Sequence, residues 1–200
     1  MAKREREKNI IKPAKVRWEG GNLLYPLPAL MVSCGNDDLG YNIITVSWAG
    51  TICSNPPMCS ISVRPERYSH DIIKETKEFA INLSNEQLAF ATDWCGVRSG
   101  RDFDKFKEMG LTPMKAGKID APLIKESPVN LECVVKQIVE LGSHNMFISE
   151  IVAVNVDNEL INPKSDTLEL FKARLINYTH GFYYKQGAMI GRFGFSVRKK

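Results

Sequence analysis

The chain has 200 residues, of which 44% are hydrophobic and 25% are charged, and its formal net charge is +4. This composition excludes a disordered chain, and no apolar run approaches the roughly 18 residues that a membrane-spanning helix requires. The basic N-terminus lacks the apolar segment of a signal peptide, so we expect a soluble, cytoplasmic protein without a membrane partner.

The charge is concentrated at the two ends of the chain. Residues 1–17 carry a net charge of +5, residues 192–200 carry +4, and the body between them carries −5. This pattern predicts a basic arm at 1–20 ahead of one domain at 21–200. Such an arm could bind nucleic acid or an anionic surface. The absence of any nucleic-acid-binding motif favours a solvated arm instead and disfavours a nucleic-acid partner.

The cysteines do not form a metal-binding pattern. They are odd in number, they contain no CxxC pair, and the three histidines stand far from them in sequence. We therefore expect reduced thiols that fill core positions, and no metal site. These cysteines are Cys34, Cys53, Cys59, Cys95 and Cys133.

The first half of the chain begins with three apolar segments, at 28–34, 41–54 and 58–63, which are rich in β-branched and small residues. Turn-forming residues separate them, so they predict successive strands. A short helix is expected at 68–77, followed by a strand at 78–83.

Two further helices are predicted after that strand. Ser84 and Gln87 have the spacing of a capping box, which would begin a helix running towards Trp94. The segment 102–110 has a helical pattern ended by Gly110.

The second half returns to extended structure. Apolar and polar residues alternate over 130–141, which predicts a strand with one solvent-facing side, whereas 146–156 is apolar on both sides. The aromatic segment from Ile176 is expected to pack on the domain or on a partner subunit. About seven strands and few helices, in non-alternating order, favour a mainly β fold, a β-barrel with peripheral helices.

Several catalytic motifs are absent from the sequence. It contains no GxGxxG, no GxxxxGK[ST], no GxSxG and no HExxH. An enzyme built on this chain would therefore rely on a bound cofactor for the difficult chemistry.

Four segments together carry a family resemblance: N42-I-I-T-V-S-W48, S62-V-R-P-E-R-Y-S69-H70, D93-W-C-G-V-R-S-G-R-D-F-D-K105-F and L141-G-S-H-N-M-F147. In this order and spacing the chain resembles the flavin reductase-like, FMN-binding split-barrel family, and within it the flavoredoxin-type branch. The resemblance implies a Greek-key split β-barrel, a homodimer, noncovalent FMN near the subunit interface, and NADH or NADPH as a candidate donor.

The resemblance also implies the residues that bind the flavin. Asn42 and the backbone of Ile43, Ile44 and Thr45 would line the ring and the polyol chain, with Trp48 close to the ring. The segment from Ser62 and Val63 leads to Arg64, Arg67 and Ser69, which would contact the phosphate at a helix start. Ser99, Gly100, Arg101 and Lys105 would form a second clamp.

One histidine and one aromatic residue complete the implied site. His144 would lie beside the ring as the catalytic residue, orienting a nicotinamide or bonding to the ring, and a structural histidine is its alternative. Either Tyr178 or Phe182 would cap the ring. Many reductases have Gly-Asp-His-Thr where this chain has Gly142-Ser143-His144-Asn145, which weakens the inference of NAD(P)H reductase activity more than that of FMN binding.

The sequence leaves the reaction open among related functions. The first is an FMN-dependent oxidoreductase that passes electrons from NAD(P)H or a redox protein to a small molecule or protein acceptor. The second is an FMN electron-transfer protein without a pyridine nucleotide site. A pyridoxamine-phosphate-oxidase-like enzyme fits the segments 42–48 and 99–106 less well.

Overall fold

The computed structural model of the protein describes residues 14–197. Within this range the chain has twelve strands, three α-helices and two 3-10 helices. The strands are β1 (Leu27–Pro28), β2 (Leu30–Asn36), β3 (Gly40–Val46), β4 (Ala49–Ser54), β5 (Pro57–Val63), β6 (Glu78–Leu83), β7 (Pro113–Met114), β8 (Leu123–Ile124), β9 (Val129–Glu140), β10 (Asn145–Val156), β11 (Ile176–Thr179) and β12 (Phe182–Lys185). The helices are α1 (Tyr68–Thr76), α2 (Ala89–Val97) and α3 (Lys105–Glu108), with 3-10 helices at Asn158–Leu160 and Leu170–Ala173.

Seven strands form one antiparallel sheet in the order β3-β2-β6-β9-β10-β5-β4. Val32 on β2, Val46 on β3 and Ile61 on β5 belong to one buried cluster, although β3 and β5 lie near opposite ends of this order. The sheet must therefore curl around a shared core. β6 returns to lie beside β2 rather than beside β5, a connection of the Greek-key type. The expected mainly β fold with few helices is confirmed.

Strands β2 and β3 are covered on both faces. Val32 and Ile44 point into the barrel, whereas Met31 and Ile43 point to a second cluster beneath α2 that also contains Phe106. Since both faces are covered, the sequence of these strands reads as an almost continuous apolar run.

The predicted single strand at 41–54 was wrong in one respect, because it is interrupted at residues 47 and 48. β3 and β4 are the two edge strands of the curled sheet, and residues 47 and 48 connect them. The amide of Ser62 donates to the carbonyl of Trp48 at 2.9 Å, and this bond holds the connection between β3 and β4 against β5.

The prediction of a solvent-facing side on 130–141 was wrong for the first half of β9. Asn130 and Glu132 are buried. Asn130 Nδ2 donates to Asn82 Oδ1 at 2.8 Å, and the carboxylate of Glu132 accepts from the amides of Gly117 and Lys118 at 3.0 and 2.6 Å. Polar residues here bind the loop that covers the sheet, so alternation in the sequence did not mean exposure.

Helix α1 and strand β6 lie where the sequence predicts them, but the capping box at Ser84 was wrong. Helix α2 begins at Ala89, and the preceding turn is held by Asn85 Oδ1, which accepts from the amides of Gln87 and Leu88 at 3.1 Å. Ser84 Oγ instead accepts from the Thr92 hydroxyl at 2.8 Å.

The helix predicted at 102–110 is reduced to the single turn α3. It begins after Asp104, whose carboxylate accepts from the amide of Lys107 at 3.2 Å. Gly110 follows with a φ of +62° and ends this segment as expected.

A smaller sheet, β1-β11-β12, contains most of the aromatic segment. The hairpin β11–β12 packs on the domain, as predicted, whereas residues 186–197 form no strand or helix there and Ile190 is 93% exposed. Packing of this last segment on a partner stays a prediction. Of the expected basic arm, residues 1–13 lie outside the described range, and residues 14–20 are exposed.

Among residues 14–197, no helix has both the length and the apolar character needed to cross a membrane.

Candidate functional site

Two adjoining cavities lie where β3, β5, the start of α1 and the end of α2 meet. The larger, called here the outer cleft, measures about 430 Å³, and the smaller, called the inner cavity, measures about 160 Å³. Ile44, Arg67 and Gly96 line both, so the two form one continuous space. The outer cleft is lined by Ile44, Thr45, Val46, Ser47, Trp48, Ser62, Val63, Arg64, Arg67, Asp93, Gly96, Val97, His144, Tyr178, Gly181 and Tyr183. The inner cavity is lined by Asn42, Ile44, Glu66, Arg67, Tyr68, Ser69, Cys95, Gly96, Arg98, Ser99, Gly100, Arg101 and Lys105.

The structure therefore brings together all of the predicted site residues except two. Ile43 points its side chain into the cluster beneath α2 and contributes only its backbone to the site. Phe182 is 65% exposed and lines neither cavity, so of the two residues predicted to cap the ring it is Tyr178 that reaches the cleft. The roles of the other residues in binding a flavin stay predictions.

The start of helix α1 gives the inner cavity a positive potential. Arg67 is the N-cap, and its side chain caps no amide, so within residues 14–197 the cap leaves the first amides of α1 without a side-chain acceptor. Arg101 lies beside this helix start, with its guanidinium 5.2 Å from the centre of the Tyr68 ring and Nη1 donating to the Glu66 carbonyl at 3.2 Å. A helix N-terminus flanked by two arginines suits a phosphate group.

A buried hydrogen bond forms one wall of the inner cavity. Asn42 Nδ2 donates to Ser69 Oγ at 2.7 Å, and both side chains are almost completely buried. The loop at 98–101 lies directly on this pair, because a Cβ at Gly100 would be 2.7 Å from Asn42 Cγ and closer still to its Oδ1. Only glycine allows this approach, and the wall is therefore fixed before a ligand binds.

Lys105 lies at the inner end of this cavity, but no carboxylate among residues 14–197 forms an ion pair with its ammonium. Nζ donates to the carbonyls of Ile43 and Cys95, both at 2.7 Å, and the residue is 3% exposed. Burial lowers the pKa of Lys105 to about 8. The lysine thus connects β3 to α2 at the inner end of the cavity that it lines.

Helix α2 closes one side of the outer cleft by a close approach to β3. A Cβ at Gly96 would lie 3.1 Å from Thr45 Cβ, and the Thr45 hydroxyl donates to the Thr92 carbonyl. On the other side, Val63 turns its side chain into the barrel core.

Trp48 and His144 form an aromatic pair at the opening of the outer cleft. Their ring centroids are 4.4 Å apart, with an interplanar angle of 38°, and His144 Nδ1 is 2.9 Å from Ser143 Oγ. Burial, and secondly the charge of Arg64, hold the pKa of His144 below its usual value. The imidazole is therefore neutral at pH 7 and presents an uncharged polar ring to the cleft.

The hairpin β11–β12 forms a further wall of the outer cleft. Tyr178 and Tyr183 line the cleft, and the turn between their strands contains His180 and Gly181 with φ of +48° and +94°. Burial, and secondly the negative charge of Asp93, raise the pKa of Tyr183 to about 12, so its hydroxyl stays protonated.

Sequence reasoning gave no role to Asp93, Gly96 or Tyr183. Asp93 and Gly96 lie within the segment 93–106, which carries part of the family resemblance. Their position in the cleft depends on how α2 packs against β3 and the hairpin, which the sequence does not show. Tyr183 is one of several aromatic residues in the C-terminal segment, and only the strand register brings it to the cleft beside Tyr178.

The whole arrangement suits a ligand with a phosphate at one end and a flat ring at the other. The inner cavity is small and cationic, with buried residues at its inner end and exposed arginines around it, whereas the outer cleft is wider and more aromatic. A polyol or similar linker would pass between them beside Ile44 and Gly96, where the cavities join. The donor groups and the aromatic walls thus fit FMN.

Comparison with known proteins agrees with this geometry. The model of the family described as flavin reductase like domain matches residues 22–184. Flavoredoxin of Desulfovibrio vulgaris (Miyazaki F) has a TM-score of 0.84 at 30% identity, over 92% of this chain and 99% of that one. Flavoredoxin from Methanosarcina acetivorans has a TM-score of 0.82 at 24% identity, over 93% and 100%. An uncharacterized protein of Pyrococcus abyssi is 30% identical over 141 residues, 70% of this chain and 80% of that protein. The split-barrel fold and the resemblance to flavoredoxins are confirmed.

Proposed function

Because the chain belongs to the flavin reductase-like family, we propose that it binds FMN noncovalently, with the phosphate in the inner cavity and the ring in the outer cleft. The observation that carries this proposal is the continuity of the two cavities, which share Ile44, Arg67 and Gly96. Bound FMN would supply the hydride and electron chemistry, for which the chain itself has no motif.

Each end of the site would bind its part of the ligand by ordinary chemistry. At the inner end, the amides of α1 and the guanidinium groups of Arg67 and Arg101 would donate to the phosphate, with the Ser99 hydroxyl nearby. At the outer end, the rings of Trp48 and Tyr178 would pack against the flat ring system.

The reaction we propose is that of an oxidoreductase of the flavin reductase type, with NADH or NADPH as the donor. His144 and the exposed Arg64 both line the outer cleft. A neutral His144 can donate or accept one hydrogen bond, and Arg64 can attract an anionic donor. His144 would then position the donor rather than transfer a proton.

An electron-transfer protein without a pyridine nucleotide site is the second candidate. The 30% identity with a flavoredoxin over nearly the whole chain favours it. So does Gly142-Ser143-His144-Asn145 in place of the Gly-Asp-His-Thr of many reductases. In this case a redox protein would deliver the electrons, and His144 would contact only the ring.

We also propose that two copies of the chain form a homodimer. Large apolar side chains remain exposed on the C-terminal segment beyond β12, which suits burial against a second copy. Light scattering on the purified protein tests this proposal, and a monomer at micromolar concentration would contradict it.

The proposed function is tested by the visible spectrum of the protein after incubation with FMN and desalting. Under anaerobic conditions, NADH or NADPH should bleach the retained flavin if the chain is a reductase. Bleaching by dithionite alone would favour the electron-transfer protein. A colourless protein that neither retains nor turns over FMN would contradict both candidates.

A further inference from the structure

The buried ammonium of Lys105 has an unusual environment. Two of its three protons bond to the carbonyls of Ile43 and Cys95. In the described part of the chain, no carboxylate lies within 4 Å of Nζ, although the residue is 3% exposed. A buried charge without an opposite charge raises the free energy of the folded protein.

The groups that face Lys105 from the surrounding elements do not compensate this charge. Cys34 on β2 and Cys95 on α2 are thiols whose pKa values burial raises to about 12 and about 11, so both are neutral. Around the same inner cavity stand Arg67, Arg98 and Arg101, and the single carboxylate lining it, among residues 14–197, is that of Glu66. Glu66 itself is near Arg64.

The missing negative charge can come from a ligand. An anion in the inner cavity would stand between the arginines and Lys105 and would favour the protonated lysine. We propose that binding of a phosphate group in the inner cavity is coupled to protonation of Lys105, so that up to one proton passes from solvent to Nζ as the phosphate binds. The identification of the phosphate as that of FMN rests on the proposed function, but the coupling itself does not.

The direction of the pH dependence follows from the pKa of Lys105. In the ligand-free protein burial holds it at about 8, below the value of about 10.4 for a free lysine. A bound anion raises the pKa of Lys105 again. Between the two values the complex holds more protons than the free protein, so affinity falls as the pH rises. One coupled proton gives at most about a tenfold loss of affinity per pH unit.

The ligand-free protein should show the opposite dependence in its stability. Since the pKa of Lys105 is lower in the folded than in the unfolded chain, the unfolded chain binds more protons between pH 8 and about 10.4. This group therefore stabilises the ligand-free fold as the pH rises through that interval, while ligand retention weakens.

Calorimetry of the full chain tests the coupling through the protons taken up per ligand bound. FMN is titrated at pH 8.5 in two buffers of different ionisation enthalpy, where the phosphate is already fully ionised. We expect uptake of about half a proton or more per FMN, and a dissociation constant that rises several-fold from pH 7.5 to pH 9.5. Riboflavin, which lacks the phosphate, should bind without this proton uptake.

Three variants assign the proton to its residue. Lys105→Met removes the titrating group, and Lys105→Arg keeps a charge that does not titrate in this range, so both should abolish the uptake. If the methionine variant does not fold, the arginine variant still decides. Lys107→Met on the exposed side of the same helix is the matched control and should keep the wild-type uptake.

The outcomes separate this inference from the proposed function. Tight FMN binding without proton uptake, equal uptake with riboflavin, or unchanged uptake in Lys105→Arg would each overturn the coupling. If FMN does not bind at all, the proposed function fails, and inorganic phosphate then serves as the probe. Proton uptake with inorganic phosphate would support the coupling, and its absence would overturn it.

Discussion

The two ends of the proposed flavin site differ in how far they are formed before a ligand arrives. Around the inner cavity Asn42, Ser69 and Lys105 are buried, and each is already hydrogen-bonded to a side chain or to the backbone. At the outer cleft Trp48 and Arg64 are partly exposed. A rigid phosphate end gives retention and an open ring end gives access, which is the combination a bound redox cofactor with an exchanging partner needs.

The largest expected effect comes from disturbing the rigid end at Gly100. In Gly100→Ala the new methyl group would overlap the Asn42 amide, with its Cγ at 2.7 Å, and the Tyr68 ring lies within 2.9 Å. The Asn42–Ser69 bond should break or move, and we expect FMN affinity to fall by about 10- to 100-fold and the free energy of unfolding to fall by about 1–3 kcal/mol. Flavin retention and thermal unfolding measure the two effects.

Gly50→Ala is the matched control for that substitution. Gly50 is exposed on β4, and no atom of residues 14–197 lies within 4 Å of the position that a Cβ would occupy there, so the change should leave FMN affinity at the wild-type value. Equal retention of FMN by Gly100→Ala and Gly50→Ala would contradict the rigid inner wall.

A smaller effect is expected from the open end, where Tyr178 and Phe182 provide a comparison within one hairpin. Tyr178→Leu removes an aromatic wall of the cleft and should weaken FMN binding by about three- to tenfold. Phe182→Leu changes an exposed side chain outside the cleft and should not. Fluorescence titration with FMN measures both, and a larger loss in Phe182→Leu would show that this residue caps the ring instead.

The smallest effect concerns the charge at the open end. Arg64→Gln removes a cation that disfavours the imidazolium of His144, so the pKa of His144 should rise towards its usual value. Burial is the larger cause and is unchanged, so we expect a rise of less than about half a pH unit. An NMR titration of the His144 ring measures it, and a fall in the pKa would contradict the assigned electrostatics.

Much of the fold could be predicted because the local signals agreed with the tertiary structure. Runs of β-branched residues between turn residues predicted β2, β5 and β6, and the polar start of 68–77 predicted α1. The failures share a cause. The break at Trp48, the buried Glu132 and the start of α2 after Asn85 each depend on what the segment packs against, which local pattern does not contain.

The site was predictable as a set of residues but less so as geometry. The four segments that carry the family resemblance do converge on the two cavities. The bonds of Lys105 to backbone carbonyls became visible only with the packing of α2. The position of Tyr178 rather than Phe182 at the cleft became visible only with the register of the hairpin. Neither is encoded by spacing along the chain.

A crystal structure of the protein with FMN would test the central claim most directly. We expect the phosphate in the inner cavity, within hydrogen-bond distance of the first amides of α1 or of Arg101, and the ring in the outer cleft between Trp48 and Tyr178. A phosphate bound at the cleft opening beside Arg64, with the inner cavity free of ligand, would contradict it.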